Sequence, residues 1–536
     1  MAFTRSLTRV APALALAAVA SLVTFLALPR LLHRDIAYYD EGVYIATAKA
    51  LAAGSGYRNP GLPDAPPQAK YPPLFPLALS LVWRLVPRFP ENIVAMKALV
   101  FLAALGVLAI TYRRVRARRG PLEAVAVVAA VGVTPLFLLY ASLVTSDVPF
   151  ALLTLVAIDA YEHSFSRPAA FALALVAAAL AVLTRTIGAI LLAALVADLV
   201  LRRDLGRAVA CALGGALAIV PWLVWAHWAS ASYAAYPPSV RDNYVGYAAA
   251  ISSMSWLGHA PAILRVNLGF LMDVWSSAVL PWAPTALARF LIVAVLALFL
   301  LANRSRPPGV VGTYCASYLL CILVAPYPGA GRYALALSPF LVGQFVAGAR
   351  GAIEKGVPAR ARRGAGVVLT VALTCAAIVT NVALYRRLTS ARDVALWRDY
   401  HAMIEWLRQN VPVDALLVAD FDPAYHLFTE RKAIRLSVED DLGTYYADDV
   451  VREFPQARNL AESFQRMGAC FVIRDPMVRG PEHVFFTNLI RALGAASPTP
   501  LRAVYSSRDG RFVVYRWAGC GAAGDRRDAR DPSPLA

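Results

Sequence analysis

Between Ala11 and Pro29 the chain runs 19 residues without a charged side chain, enough for a helix rising 1.5 Å per residue to cross about 30 Å of hydrocarbon. Lipid offers no hydrogen bonds, so a segment crossing it must satisfy its own backbone, and a helix does so within one run. Comparable apolar runs recur at 92–112, 121–140, 148–161, 169–184, 187–201, 208–228, 282–302, 310–325, 333–349 and 364–384. Only 16% of the residues are charged and 59% are hydrophobic, whereas soluble domains carry about a quarter charged residues. The pattern predicts a polytopic α-helical membrane protein with about eleven transmembrane helices.

The placement of basic residues predicts the orientation. Arg5 and Arg9 precede the first run, and RRVRARR (Arg113–Arg119), RRDLGR (Arg202–Arg207), NRSRPP (Asn303–Pro308) and RGAIEKGVPARARR (Arg350–Arg363) interrupt later ones. One assignment puts all of these inside, with the N-terminus inside and the C-terminus outside. The stretch Pro73–Val86 is apolar but only about 14 residues long. As a span it would turn RRVRARR outward, so it reads as a helix along the outer interface. The first outer segment is then 33–91, and a second, longer outer loop covers 229–281.

After residue 385 the texture changes. RDVALWRDYHAMIEWLRQNVP has helical spacing, and ALLVAD, AIRLSV, CFVIRD and FVVYRW are short β-type runs separated by helical pieces around 459–467 and 483–493. The chain thus divides into a transmembrane domain (1–385), an extracytoplasmic α/β domain (386–520) and a disordered tail (521–536). The net charge of +18 sits in clusters between apolar runs, which argues against nucleic acid as a partner. Cys211, Cys315, Cys321 and Cys375 lie in apolar runs and read as small hydrophobes. Cys470 and Cys520 lie in the polar region, where an oxidising compartment would permit a disulfide.

The chemistry concentrates in the first outer segment. Asp40 and Glu41 stand side by side among Tyr39, Tyr44 and, further on, Tyr71. Carboxylates just outside a span can be nothing more than a solvated loop end. In an aromatic setting at headgroup level, one can instead deprotonate an acceptor hydroxyl or amine. Asp147, in SLVTSDVPF, falls at the same face at the start of a helix, where N-capping is the plain alternative. Lys70, Arg185 and Arg332 fall at outer helix ends. Arginines there often only snorkel, but together the three cations suit an anionic phosphate. Phosphate-binding loops, dinucleotide turns and HExxH are absent from the sequence. Polar residues form no file along the runs, which disfavours an ion-coupled carrier.

In order, the acidic first loop, KYPPLFPL, the arginine-rich inner loop, SDVP, LTRTIG and RYALALSPF resemble the GT-C glycosyltransferases. The likeness is to the bacterial relatives of the protein mannosyltransferases and of the aminoarabinose transferases of lipid A. The resemblance covers about 10–390 and implies inverting transfer of a sugar from a polyprenyl-phosphate carrier to a lipid, glycan or protein acceptor, at the periplasmic face of a bacterial inner membrane. It implies Asp40 as general base with Glu41 in support, and Asp147 holding acceptor or base. Lys70, Arg185 and Arg332 would stabilise the departing lipid phosphate, and Tyr39, Tyr44, Tyr71 and Tyr333 would line the substrate site. Tyr71 separates Lys70 from Pro-Pro, and Ala69 stands where the aminoarabinose enzymes carry an acid that can ligate metal. A divalent metal is therefore left open and no other cofactor is implied. Two other classes stay open: a flippase or exporter of lipid-linked sugars, and a non-catalytic scaffold.

Overall fold

The computed structural model describes residues 2–518 except 237–240, 242–244, 246–257, 259, 280–282, 303–308, 326–329, 357, 359, 389–391, 437–453, 455–456, 478–480 and 498. The described elements of the first unit are α1 (Ala2–Leu32), α2 (Tyr39–Ala52), α3 (Leu74–Leu85), α4 (Asn92–Arg119), α5 (Pro121–Gly132), α6 (Pro135–Tyr140), α7 (Asp147–His163), α8 (Ala169–Thr184), α9 (Ala189–Leu201) and α10 (Leu205–Ser230). They continue as α11 (Ala260–Val279), α12 (Thr285–Ala302), α13 (Val310–Val324), α14 (Ala330–Tyr333), α15 (Ser338–Gly356) and α16 (Arg362–Leu388). Among the described residues, four stretches are long and apolar enough to cross a membrane, Pro12–Leu32, Asn92–Arg119, Leu205–Tyr233 and Gly366–Arg386, and there are shorter apolar helices as well. The outward faces are apolar as well: Leu213, Leu217 and Val224 of α10 are exposed, a pattern suited to a hydrocarbon surround.

Several elements differ from the sequence expectation, each for a local reason. The first outer segment is not all loop, because YDEGVYIATAKALA forms α2 with its acids in the first turn, where they complement the helix dipole. The run 121–140 is two helices: Thr134 Oγ1 accepts the Phe137 N–H at 3.3 Å, and Pro135 starts α6 at a position that needs no N–H partner. RRVRARR is not a loop but the last turns of α4, which stops at Gly120 with φ +96°, a backbone state that favours glycine. The stretch 229–281 is not one loop, since it contains the 20-residue α11, packed on α13 and α14. The stretch 73–86 does form a helix, α3, with Leu77, Leu81 and Leu85 exposed along one face.

The second unit comprises α17 (Arg392–Asn410), β1 (Leu416–Ala419), α18 (Asp422–Thr429), β2 (Lys432–Arg435), α19 (Ala457–Arg466), β3 (Ala469–Arg474), α20 (Pro481–Ala496), β4 (Leu501–Ser506) and β5 (Val513–Trp517). The sheet order is β2-β1-β3-β5-β4, parallel among β2, β1 and β3 and antiparallel from β3 through β5 to β4. Four of the strands lie on the β-type runs of the sequence. The fifth, β4 (LRAVYS), is half-exposed and was not legible as a strand. Cys470 is disulfide-bonded; Cys520 and the 521–536 tail lie outside the described residues.

The α/β unit sits directly on the first outer segment. The Ala433 N–H of edge strand β2 donates to the Gly61 carbonyl at 2.9 Å, and Lys432 Nζ reaches the Pro60 carbonyl at 2.6 Å. His401 Nε2 lies 2.7 Å from Asp35 Oδ1. Gly42 of α2 lies so close to α18 that a Cβ there would stand 2.9 Å from Pro423 Cβ and 3.2 Å from the Ala424 nitrogen. Gly42→Val is therefore expected to loosen the docked domain, at about 1–3 kcal/mol. Faster proteolysis of the α/β unit in the variant is the expected result, and an unchanged cleavage rate would contradict this packing.

Candidate active site

Asp40 is placed by the first turn of α2, and the segments after α2 and between α6 and α7 close around it. Its Oδ1 accepts the Tyr71 hydroxyl at 2.6 Å, and its Oδ2 pairs with Arg332 Nη1 at 2.6 Å. Arg332 comes from α14, and its Nε lies 3.8 Å from Asp147 Oδ1. Asp147 also pairs with Arg185 Nη1 at 2.9 Å, and Arg185 donates to Ser146 Oγ at 3.1 Å. Ser146 Oγ in turn shares a hydrogen bond of 2.7 Å with the Tyr44 hydroxyl. Side chains from five separate stretches thus form one alternating line: Tyr71, Asp40, Arg332, Asp147, Arg185, Ser146, Tyr44. Asp147 is 3% exposed, Asp40 13% and Arg332 20%. Such groups, removed from water, interact more strongly than surface pairs.

The remaining residues singled out in the sequence gather around that line. The Tyr333 ring lies 5.0 Å from the Arg185 guanidinium and 5.4 Å from that of Arg332, within cation–π range. Lys70 Nζ is 5.4 Å from the Tyr71 ring and 5.8 Å from the Tyr39 ring. Tyr44 packs on Tyr71 at 4.7 Å between centroids. Asp147 is the first residue of α7, with Ser146 at the N-cap position, and its Oδ1 faces both arginines.

Glu41 has a different task from its neighbour. One carboxylate oxygen accepts the N–H groups of Ala37 and Tyr38 at 2.8 and 3.0 Å, and the other accepts the Val144 N–H at 2.7 Å. Fully buried, it fastens the start of α2 to the segment before α7 and so fixes the distance between Asp40 and Asp147. Burial pushes its carboxyl above the usual range, against the pull of Lys97 and the three N–H donors. Lys97 of α4 caps the end of α1 and the chain beyond it, with Nζ on the carbonyls of Arg30, His33 and Asp35.

Three further participants were not legible in the sequence. Ser146 links Tyr44 to Arg185, and Tyr140 packs against Tyr38 at 6.0 Å between ring centroids. Arg435, on edge strand β2, lies 4.3 Å from the centre of the Tyr39 ring, which Lys70 Nζ also approaches, at 5.8 Å. No local signal marks an arginine nearly 400 residues downstream as a neighbour of Tyr39; only the docked sheet edge brings them together.

Burial alone would raise the Asp40 carboxyl, but Arg332, Lys70 and the Tyr71 hydroxyl outweigh it and hold Asp40 below the usual carboxylate range. Counting Asp40 and Asp147 against Lys70, Arg185 and Arg332, the site carries one net positive charge, which suits an incoming anion. The donor set does not suit a divalent cation, because Arg332 occupies the space between the two carboxylates. Among the described residues no cluster of three His, Cys, Asp or Glu side chains could hold one.

No family model matches the sequence, and no curated protein does. Solved structures do match. ArnT from Cupriavidus metallidurans in the apo state aligns over 93% of this chain and 97% of its own, with TM-score 0.55 and 14% identity. The same enzyme bound to undecaprenyl phosphate aligns over 95% and 98%, with TM-score 0.54 and 15% identity. The chain has the GT-C glycosyltransferase fold. A third match is the Archaeoglobus fulgidus oligosaccharyltransferase tethered to an acceptor peptide. It aligns over 94% of this chain and 74% of its own, with TM-score 0.54 and 12% identity. At 93–95% of this chain, the alignments extend over both the apolar helices and the α/β unit.

The protonation of Asp40 supplies a test. As it ionises below the usual carboxylate pKa of about 3.9, kcat/KM should carry no Asp40 limb between about pH 5 and 7. Tyr71→Phe removes one of the contacts holding the carboxyl down, so the acid limb should move upward in that variant. The matching stability is present above the unfolded pKa and lost as pH falls through the folded one. A pH profile in which Tyr71→Phe leaves the acid limb in place would contradict the assignment.

Proposed function

We propose that the protein is an integral-membrane glycosyltransferase of the bacterial inner membrane. It moves a sugar from a polyprenyl-phosphate-sugar donor to a lipid, glycan or protein acceptor at the periplasmic face, with inversion. The observation that carries this reading is Arg332 bridging Asp40 and Asp147, which couples a carboxylate base to a phosphate-binding cation. The undecaprenyl phosphate held by the ArnT of like fold is in keeping with such a donor, and the peptide tethered in the oligosaccharyltransferase is in keeping with an acceptor alongside it. Eleven spans, an inside N-terminus and a periplasmic α/β domain with a Cys470–Cys520 disulfide belong to the same proposal.

In the resting site Arg332 holds Asp40 as a stabilised carboxylate, a poor base. The donor phosphate competes for Arg332 and Arg185, which relaxes the hold on Asp40 and raises its proton affinity. Asp40 then takes the proton of the acceptor hydroxyl or amine as that atom attacks the anomeric carbon. The bond to the phosphate oxygen breaks on the opposite face. The leaving lipid phosphate takes the electron pair of that bond and gains a negative charge, and the attraction of Lys70, Arg185 and Arg332 strengthens as that charge develops. Glu41 acts only by holding α2 in place.

Purified protein incubated with radiolabelled polyprenyl-phosphate sugars and candidate acceptors tests the proposal. Release of free polyprenyl phosphate with label in the acceptor is expected. Movement of intact donor across a vesicle without release would favour a flippase and overturn the assignment.

A further inference from the structure

At the end of α7 far from Asp147, the chain builds a second polar centre that the transfer reaction does not use. Asp159 lies twelve residues after Asp147, roughly 18 Å along the helix. The last turns of α4 face it. Arg113 and Arg114 pair with Asp159, the latter at 3.3 Å, while Arg114 and Arg118 pair with Glu162 at 2.8 and 2.5 Å. Arg119 gives its guanidinium to neutral oxygens of α15, the Gly343 carbonyl and, at 3.2 Å, Gln344 Oε1. Four guanidiniums thus meet two carboxylates, an excess of two positive charges.

Beside these groups a cavity of about 220 Å³ opens between α4, α7, α13 and α15. A single water needs only about 15 Å³ by that measure. Arg114, Arg118 and Arg119 line one part of it together with the Glu162 carboxylate, which the arginines outnumber, and Leu155, Val311 and Phe340 line another. A purely structural ion-pair network would balance its charges and close on itself; this one keeps spare donors beside an apolar-walled space. Each guanidinium presents five N–H donors and takes phosphate oxygens two at a time. Basic pockets between transmembrane helices of this kind suit phospholipid head groups.

We propose that this cavity binds the phosphate of an anionic membrane lipid, with the arginines on the head group and the apolar wall along the first part of an acyl chain. The site lies at the opposite end of α7 from Asp40 and stands whether or not the protein transfers sugars.

The test is native mass spectrometry on the full-length protein, titrated with phosphatidylglycerol, phosphatidylcholine or inorganic phosphate. Phosphatidylglycerol should be retained in preference to phosphatidylcholine, and inorganic phosphate should not displace it. The double variant Arg118→Gln/Arg119→Gln should weaken phosphatidylglycerol binding about thirtyfold. Glu162→Gln frees Arg118 of its carboxylate, leaves Arg114 only Asp159, and should tighten it about fivefold, an effect in the direction that misfolding would not produce. Equal retention of the two lipids, or unchanged binding in both variants, would overturn the proposal. Displacement by inorganic phosphate alone would overturn the lipid as the source of the anion.

Discussion

Asp40→Asn is expected to insert and fold normally and to lower sugar transfer by about a hundred- to ten-thousandfold, the range for loss of a positioned general base. The change keeps the side-chain shape, and the Tyr71 hydroxyl can still donate to the amide oxygen. Asp147 remains 3.8 Å from Arg332, so the guanidinium keeps an acidic neighbour. What disappears is the proton acceptor. Donor binding, read as affinity for a polyprenyl phosphate, should therefore change far less than turnover. Wild-type turnover in the variant would remove Asp40 from the mechanism, whereas a matched loss of turnover and donor affinity would make it a binding residue.

Arg332→Gln should act on stability and activity together. It leaves Asp40 and Asp147 buried and close, with no guanidinium between them. Removing one partner of a buried pair typically costs about 3–5 kcal/mol. Burial, the largest influence on Asp40, would then go less opposed and push its carboxyl upward. The expected result is a lower thermal transition in detergent together with weaker donor binding. Arg332→Lys should recover part of the stability but little of the activity, since an ammonium cannot reach both carboxylates as a planar fork does. A variant with unchanged melting and unchanged donor affinity would contradict the bridging role.

Much of this arrangement was legible because membrane folds are written in runs and charges. Most of the apolar stretches and the strand-like runs after residue 385 fall on helices and strands, since hydrophobic periodicity is local. Asp40, Asp147, Arg185 and Arg332 could be proposed as neighbours because each sits at the end of an apolar run on one assigned face. Local signals failed where tertiary contact decides. The helix α2 has buried residues all round rather than one apolar stripe, so no periodicity announced it. Glu41 looked like a second catalytic acid because sequence cannot tell that the Val144 N–H, more than a hundred residues away, claims its carboxylate. Arg435 was missed because a sheet edge brings it to Tyr39. The RRVRARR run reads in sequence as an orientation signal and part of a motif order, and nothing local shows that its arginines brace α4 against α7 and α15.

The most direct test follows the anomeric carbon. With a polyprenyl-phosphate sugar that the purified protein consumes, NMR of the first product fixes the configuration at that carbon, and the same reaction mixture yields the amount of free polyprenyl phosphate. Direct displacement assisted by Asp40 gives one inverted glycoside for each polyprenyl phosphate released, with Asp40→Asn giving neither. Retention of configuration, or inverted product formed as fast by Asp40→Asn as by the wild type, would contradict it.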